Sequence, residues 1–180
     1  MSWEFVIKWL PKLLQGATLT LELVAKSAGG HSSMPPRVTA VGRIARAVER
    51  LQANPVPGGL TGVSDEFFDA LGRYFPLGQR VAFANRWLTE PLLERILSAA
   101  PSTDAMLRTT TAPTMLTGST KENVLATQAT ATINFRLHPR DSIEDVVAHV
   151  RETIADPEIE VRHAPGFASP ASPVSSSQAQ

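Results

Sequence analysis

Three polar residues in this sequence stand where chemistry could be done. His31, in "AGGHSSMPP" (Ala28 to Pro36), follows two glycines that let the backbone turn sharply and set an imidazole at an exposed point. A histidine so placed is either a working group or an ordinary surface residue of a turn. Arg136 interrupts the alternating run "TQATATINFRLH" between Phe135 and Leu137, on the side opposite the apolar residues. Its planar fork matches a carboxylate, supplied either by a bound molecule or by a Glu or Asp across the sheet. Asn123, in "STKENVLAT", lies in the loop before that run. Its amide could donate to an anion or simply shape the turn.

Other chemistries find little support. The histidines number 4 and none falls in an H-x-D, H-x-x-x-H or H-E-x-x-H spacing. A catalytic zinc site needs three protein ligands that converge from rigid elements. His138 and His163 end expected strands and His149 rides an expected helix, so the expectation is that the chain holds no metal of its own. Ser32 and Ser33 adjoin His31, but neighbours in a tight turn rarely face one another, and no G-x-S-x-G elbow exists. The pair Gly29-Gly30 lacks the context of a phosphate loop.

These residues hang on a legible set of elements. "TLTLELVAK", Thr18 to Lys26, places Leu19, Leu21, Leu23 and Ala25 on one face and Thr18, Thr20, Glu22 and Lys26 on the other, a half-buried strand. "RVTAVGRIARAVERLQ" repeats Val38, Val41, Ala45 and Val48, with Ile44 and Leu51 alongside, at helical spacing. Residues 64 to 100 read as short helices, the first capped by Ser64. "MLRTTTAPTMLTG" and "TQATATINFRLH" are strands. "RDSIEDVVAHVRETI" is a helix capped by Asp141 or Ser142, and "EIEVRHA" is a last strand. With the helical insertion set aside, the order is β-α-β-β-α-β. The expected fold is therefore α+β and ferredoxin-like: a four-stranded antiparallel sheet, two long helices on one face, and an edge strand left to find a partner.

Composition sets the outer bounds. At 180 residues, with 43% apolar and 19% charged, the chain suits one domain with appendages and can bury a core. Lys+Arg is 17 and Asp+Glu is 17, so no field draws it to nucleic acid or anionic lipid. Cysteine is absent, which excludes disulfides and leaves the compartment open, the cytoplasm by default. The opening "MSWEFVIKWLPKLLQG" is too interrupted by Glu4, Lys8, Pro11 and Lys12 for a membrane span. It could lie on a membrane surface, though a packed or frayed terminal helix is the simpler reading.

Taken together, "LTLELVAKSAGGHSSMPP", "TAVGRIARAVERL", "GSTKENVLATQATATINFRLHPRDSIEDVVAHV" and "PASPVSSS" resemble one family. It is the dimerisation or lid domain of the carboxypeptidase S, glutamate carboxypeptidase and aminoacylase family of zinc amidohydrolases. The carboxypeptidase S branch, with its helical insertion, is the most similar. The resemblance implies a lid inserted into a catalytic domain that holds two zinc ions and acts on peptides or N-acyl amino acids. It implies a homodimer in which His31 reaches the partner's active site and helps hold the scissile carbonyl and its developing oxyanion. It implies that Asn123 and Arg136 grip the substrate's terminal carboxylate. The zinc ligands and general base would lie outside this chain, which alone would bind no zinc and hydrolyse nothing.

The expected layout is an unmatched segment at 1–17, the lid at 18–165 with its insertion at about 60–105, and a linker at 166–180 leading back toward the catalytic domain. Two departures stand out. Ala126 replaces the proline common after "KENVL", which would loosen the loop around Asn123. Residues 1–17 match nothing that precedes such a lid. The alternative expectation is a stand-alone dimerisation or peptide-binding module without catalysis.

Overall fold

The structure, a computed structural model, describes residues 17–72 and 74–168. The expectations for residues 1–16 and for the run from 169 to 180 lie outside the described residues.

Strand β1 (Thr18–Lys26) is the centre of the molecule. Strand β2 (Gly30–His31) follows, then helix α1 (Ala40–Ala53). Four helices come next: α2 (Val63–Gly72), α3 (Leu77–Ala84), α4 (Arg86–Ser98) and α5 (Pro101–Leu107). The chain returns through β3 (Thr110–Thr117), β4 (Val124–Leu125), β5 (Gln128–Arg136), helix α6 (Ile143–Ile154) and β6 (Ile159–Ala168). The main sheet runs β3-β5-β1-β6, every neighbouring pair antiparallel. This is the split order expected of a β-α-β-β-α-β chain. Strands β2 and β4 form a separate two-stranded ribbon.

The alternation read in the sequence builds the core. Leu19, Leu21 and Leu23 of β1 and Ala131, Ile133 and Phe135 of β5 are buried beneath Ile44 and Leu51 of α1 and Val146, Val150 and Ile154 of α6. The second face of β1 departs from expectation, because Thr20 and Val24 are buried there too. A central strand has a neighbour on each side, and Thr20 donates to Asn134 Oδ1 of β5 at 2.7 Å.

Both long helices start on a side-chain cap. Thr39 Oγ1 accepts from Gly42 N at 3.0 Å, and Ser142 Oγ accepts from Asp145 N at 3.1 Å while Asp145 accepts from Ser142 N. Ser142 is thus the cap, and Asp141 instead accepts from Thr109 Oγ1 at 2.6 Å. Helix α1 is tied to the end of α6 by Arg43, which pairs with Asp156, and by Arg50, which donates to the carbonyl of Ile154.

Between α1 and β3 the four short helices gather on a small core of their own, Leu60, Phe68, Leu93 and Leu107. Ser64 does not cap α2. It lies inside the helix, buried, where its hydroxyl donates to Met106 O and accepts a hydrogen bond from His138 Nε2 at 2.7 Å. Arg140 adds bonds to Pro57 O at 2.7 Å and Thr61 Oγ1 at 3.1 Å. The insertion is thereby fastened to the segment just after β5. Among the described residues no helix is long and apolar enough to cross a membrane.

Candidate functional site

His31 is held by the ribbon. After β1, Ser27 N donates to Thr127 O at 2.9 Å and Ser27 Oγ donates to Ala126 O at 2.9 Å, so the two loops run together. A Cβ at position 29 would stand 2.7 Å from Thr127 Cγ2, which is why the crossing takes a glycine. His31 then pairs with Val124 and Gly30 with Leu125. Ser32 N donates to Asn123 O at 3.1 Å, extending the ladder. Val124 is the cross-strand partner of His31 and Asn123 lies one position further along, opposite Ser32, so His31 and Asn123 share one ribbon, both exposed, at the end of the sheet where β1 finishes and β5 begins.

The turn that carries the imidazole closes on itself. Met34 N donates to His31 O at 3.2 Å, which makes residues 31–34 a β-turn. Within it Ser33 N donates to His31 Nδ1 at 3.2 Å, and Ser33 Oγ lies 2.9 Å from the same nitrogen. The expectation that neighbouring serines would not face the ring is overturned for Ser33. A residue two positions on in a β-turn points its N–H back at the first side chain, as in an Asx turn.

Arg136 stands elsewhere. It ends β5, exposed, opposite Thr18 of β1 and Thr110 of β3. Its cross-strand neighbours are threonines, so no carboxylate across the sheet occupies its fork. Gln128 pairs with Lys26 at the other end of β5, and the eight intervening steps at ~3.4 Å each span about 27 Å. The structure sets His31 and Asn123 on one ribbon and leaves Arg136 at the far end of the sheet. The ribbon was missed because a two-residue strand carries no periodicity. Ser33 could have been found from its i+2 position alone.

No metal site forms within the described residues: no three His, Asp or Glu side chains are grouped to hold an ion. His138 is buried against Ser64, and burial, helped by the positive charge of Arg140, holds its pKa below the usual histidine value. His149 Nε2 meets Asn54 O at 3.1 Å, and His163 lies on β6 opposite Leu21. The four histidines thus sit in four separate surroundings, which do not fit a catalytic zinc.

A four-stranded antiparallel sheet backed by two helices, with an uncharged edge strand, defines an α+β domain of the ferredoxin-like class. The chain belongs to the peptidase dimerisation domain family, whose model matches residues 15–162. It is 42% identical over 156 residues to an N-fatty-acyl-amino acid synthase/hydrolase of Xenopus tropicalis, covering 84% of this chain and 30% of that protein. It is 40% identical over 164 residues to a probable carboxypeptidase S-like protein of Dictyostelium discoideum, covering 91% of this chain and 31% of that one. A metallo-carboxypeptidase from Sulfolobus solfataricus gives a TM-score of 0.46 at 19% identity, covering 87% of this chain and 38% of that one. The chain spans about 30% of the length of the curated relatives it matches.

Proposed function

We propose that this domain is the lid of a metal-dependent amidohydrolase acting on N-acyl amino acids or peptides, and that two copies together complete each active site. The observation that carries this reading is the separation just described: His31 and Asn123 share the ribbon beside the start of β5, and Arg136 stands at the far end of that strand, about 27 Å from Gln128. One small substrate cannot touch all three in a single chain.

A second copy resolves the distance. Strand β3 is a sheet edge whose sequence, "TTAPTMLT", carries no charge. Met115 and Leu116 are 61% and 63% exposed there, and Val41 of α1 is 47% exposed nearby, against Gly118. Pro113 and the register shift beside it blunt the first half of this edge, and the uncharged second half, with Met115 and Leu116 exposed, is the part open to strand pairing. Two-fold symmetry makes such pairing antiparallel, which reverses the partner's sheet end for end. The partner's ribbon then lies toward this chain's Arg136. His31 would donate to the developing oxyanion, while Asn123 and Arg136 would hold the substrate carboxylate. On this reading the lid begins at residue 18, carries its insertion at about 60–105, and runs past the expected end at 165 to the close of β6 at Ala168, with the residues beyond leading back toward the catalytic part. The two zinc ions and the general base belong to that part.

Light scattering of this chain should give a dimer, and Leu116→Glu should give a monomer with the fold intact. In the complete enzyme His31→Ala should lower kcat about 10²–10³-fold, the usual cost of an oxyanion donor. Mixing His31→Ala enzyme with Arg136→Ala enzyme decides the question of two copies. Each mixed dimer would own one site with both residues, so turnover should return. Recovery of none, with mixed dimers shown to form, overturns the shared site. A dimer that binds N-acyl amino acids but has no effect on turnover would favour the module without catalysis.

A further inference from the structure

We infer that Ser33 is a positioning residue that fixes which nitrogen of His31 carries the proton, and so turns the imidazole into an outward-facing hydrogen-bond donor. This rests on the role given to His31 above, and it adds a residue that acts only through that ring.

The argument is one of donors and acceptors. A neutral imidazole has one N–H and one lone pair, and the partner of one nitrogen decides the state of the other. A backbone N–H can only donate. Ser33 N points at His31 Nδ1 from 3.2 Å, so Nδ1 must offer its lone pair, and the proton must sit on Nε2. The Ser33 hydroxyl, 2.9 Å from Nδ1, rotates freely and can donate to the same lone pair. With both groups of Ser33 aimed at Nδ1, the Nε2–H edge is the one left facing outward from an exposed residue.

Electrostatic stabilisation of a developing oxyanion needs a donor already in place before charge appears. A ring free to exchange tautomers would present an acceptor part of the time. The turn supplies the order locally: Met34 N closes residues 31–34 on His31 O, and Ser32 N binds Asn123 O, so the backbone under Ser33 is held at both ends. Pro35 and Pro36 follow immediately and restrict the exit of the turn. The arrangement lies wholly within this chain and needs no second copy to form.

The test is a long-range 1H–15N NMR spectrum of the 15N-labelled chain, recorded in mildly alkaline buffer. His163, exposed on β6, serves as the internal reference. His31 should favour the Nε2–H form over the Nδ1–H form more strongly than His163 does, by about fivefold, what one ordinary hydrogen bond is worth. Ser33→Ala should lose part of that excess and Ser33→Thr should keep it, with the amide signals of Gly30, Val124 and Leu125 unmoved. A His31 ring protonated on Nδ1, or a tautomer ratio equal to that of His163, overturns the assignment. So does a ratio indifferent to Ser33→Ala. These outcomes leave the active-site reading standing, whereas His31→Ala without effect on turnover in the complete enzyme would remove that reading and leave the tautomer result intact.

Discussion

The sheet body and the helical insertion are built from the same kinds of residue and held in different ways. In the body, nineteen buried side chains among the described residues form one cluster between the sheet and helices α1 and α6, and both helices begin on a side-chain cap. In the insertion four buried residues among those described form the cluster, and α3, α4 and α5 start at Pro76, Asn85 and Ala100 with no side-chain cap bond. Much of the apolar surface of α4 faces outward, with Trp87, Leu88, Leu92 and Ile96 between 59% and 83% exposed. The body holds itself by burial. The insertion leans on the body through polar bonds at Ser64, His138 and Arg140.

The contrast breaks first in the core. Phe135 is among the largest fully buried side chains, and Phe135→Ala should cost about 3–5 kcal/mol, the range for a truncated core phenylalanine. Chemical denaturation should show the transition of the sheet body moved to lower denaturant by that amount. Phe68 packs on Phe67 and Phe83 at centroid distances of 5.5 and 6.0 Å in the smaller cluster. Phe68→Ala should cost less, about 2–3 kcal/mol, because thinly packed surroundings can collapse into the gap. Hydrogen exchange should locate that loss in residues 63–107, with amides of β1 and β5 still protected. Equal loss of protection in both regions would show that the two bodies unfold as one.

The joint comes next. His138 N accepts nothing but donates to Thr109 Oγ1 at 2.8 Å, its Nδ1 accepts from Arg140 N at 3.3 Å, and its Nε2 donates to Ser64. Both ring nitrogens are thus committed to the neutral form. Ser64→Ala leaves Nε2–H and Met106 O without that hydroxyl in a buried place and should cost about 1–3 kcal/mol. The joint should also respond to acid. His138 has its pKa lowered by burial first and by Arg140 second, against an opposing pull from Asp141. The unfolded chain therefore binds a proton that the folded one refuses. The contribution of His138 is whole above about pH 6.5 and is lost as the pH falls below that toward the lowered folded value. Thermal unfolding followed from pH 8 to 5 should show the insertion loosening first, and His138→Gln should flatten that dependence. A melting profile unchanged by the substitution would show that the joint does not titrate.

The body was far more legible in the sequence than the joint or the ribbon. Alternation in "TLTLELVAK" and "ATATINF" follows directly from one buried sheet face, and the 3.6-residue stripe of α6 follows from its single apolar side. These patterns repeat along an element, so they survive any uncertainty about partners. His138 and Ser64 lie 74 positions apart and meet only because the insertion folds back on the end of β5. Ser64 was read as a cap for the sound reason that serine before an apolar run commonly caps a helix, yet here tertiary packing claimed its hydroxyl. Thr20 reads as part of an exposed face, because the sequence does not say that β1 has neighbours on both sides. Of the candidate site, His31, Asn123 and Arg136 were each legible as residues out of their ordinary setting. That two of them share a ribbon and the third stands at the other end of the sheet was not.

The smallest effect is the most direct comparison of how the two regions begin their helices. Ser142→Ala removes the cap of α6 and should cost about 1 kcal/mol, since Asp145 N loses its acceptor and the Asp145 carboxylate loses the Ser142 hydroxyl, keeping only the backbone N–H. The reverse change should help the insertion. Ala100 precedes α5 with φ −110° and ψ 129°, the extended conformation of a capping residue, and Pro101 follows at the start of the helix where its missing N–H is harmless. Thr103 N already bonds to Ala100 O, so the first turn is formed and only the side-chain acceptor is absent. Ala100→Ser should therefore add about 0.5–1 kcal/mol to the local stability of α5 without touching the body. Amide exchange at Ser102, Thr103 and Asp104 should slow while that of β1 and β5 stays the same. Were the gain instead shared by the sheet, the insertion would be part of the same cooperative unit, and the division drawn between the two regions would be wrong.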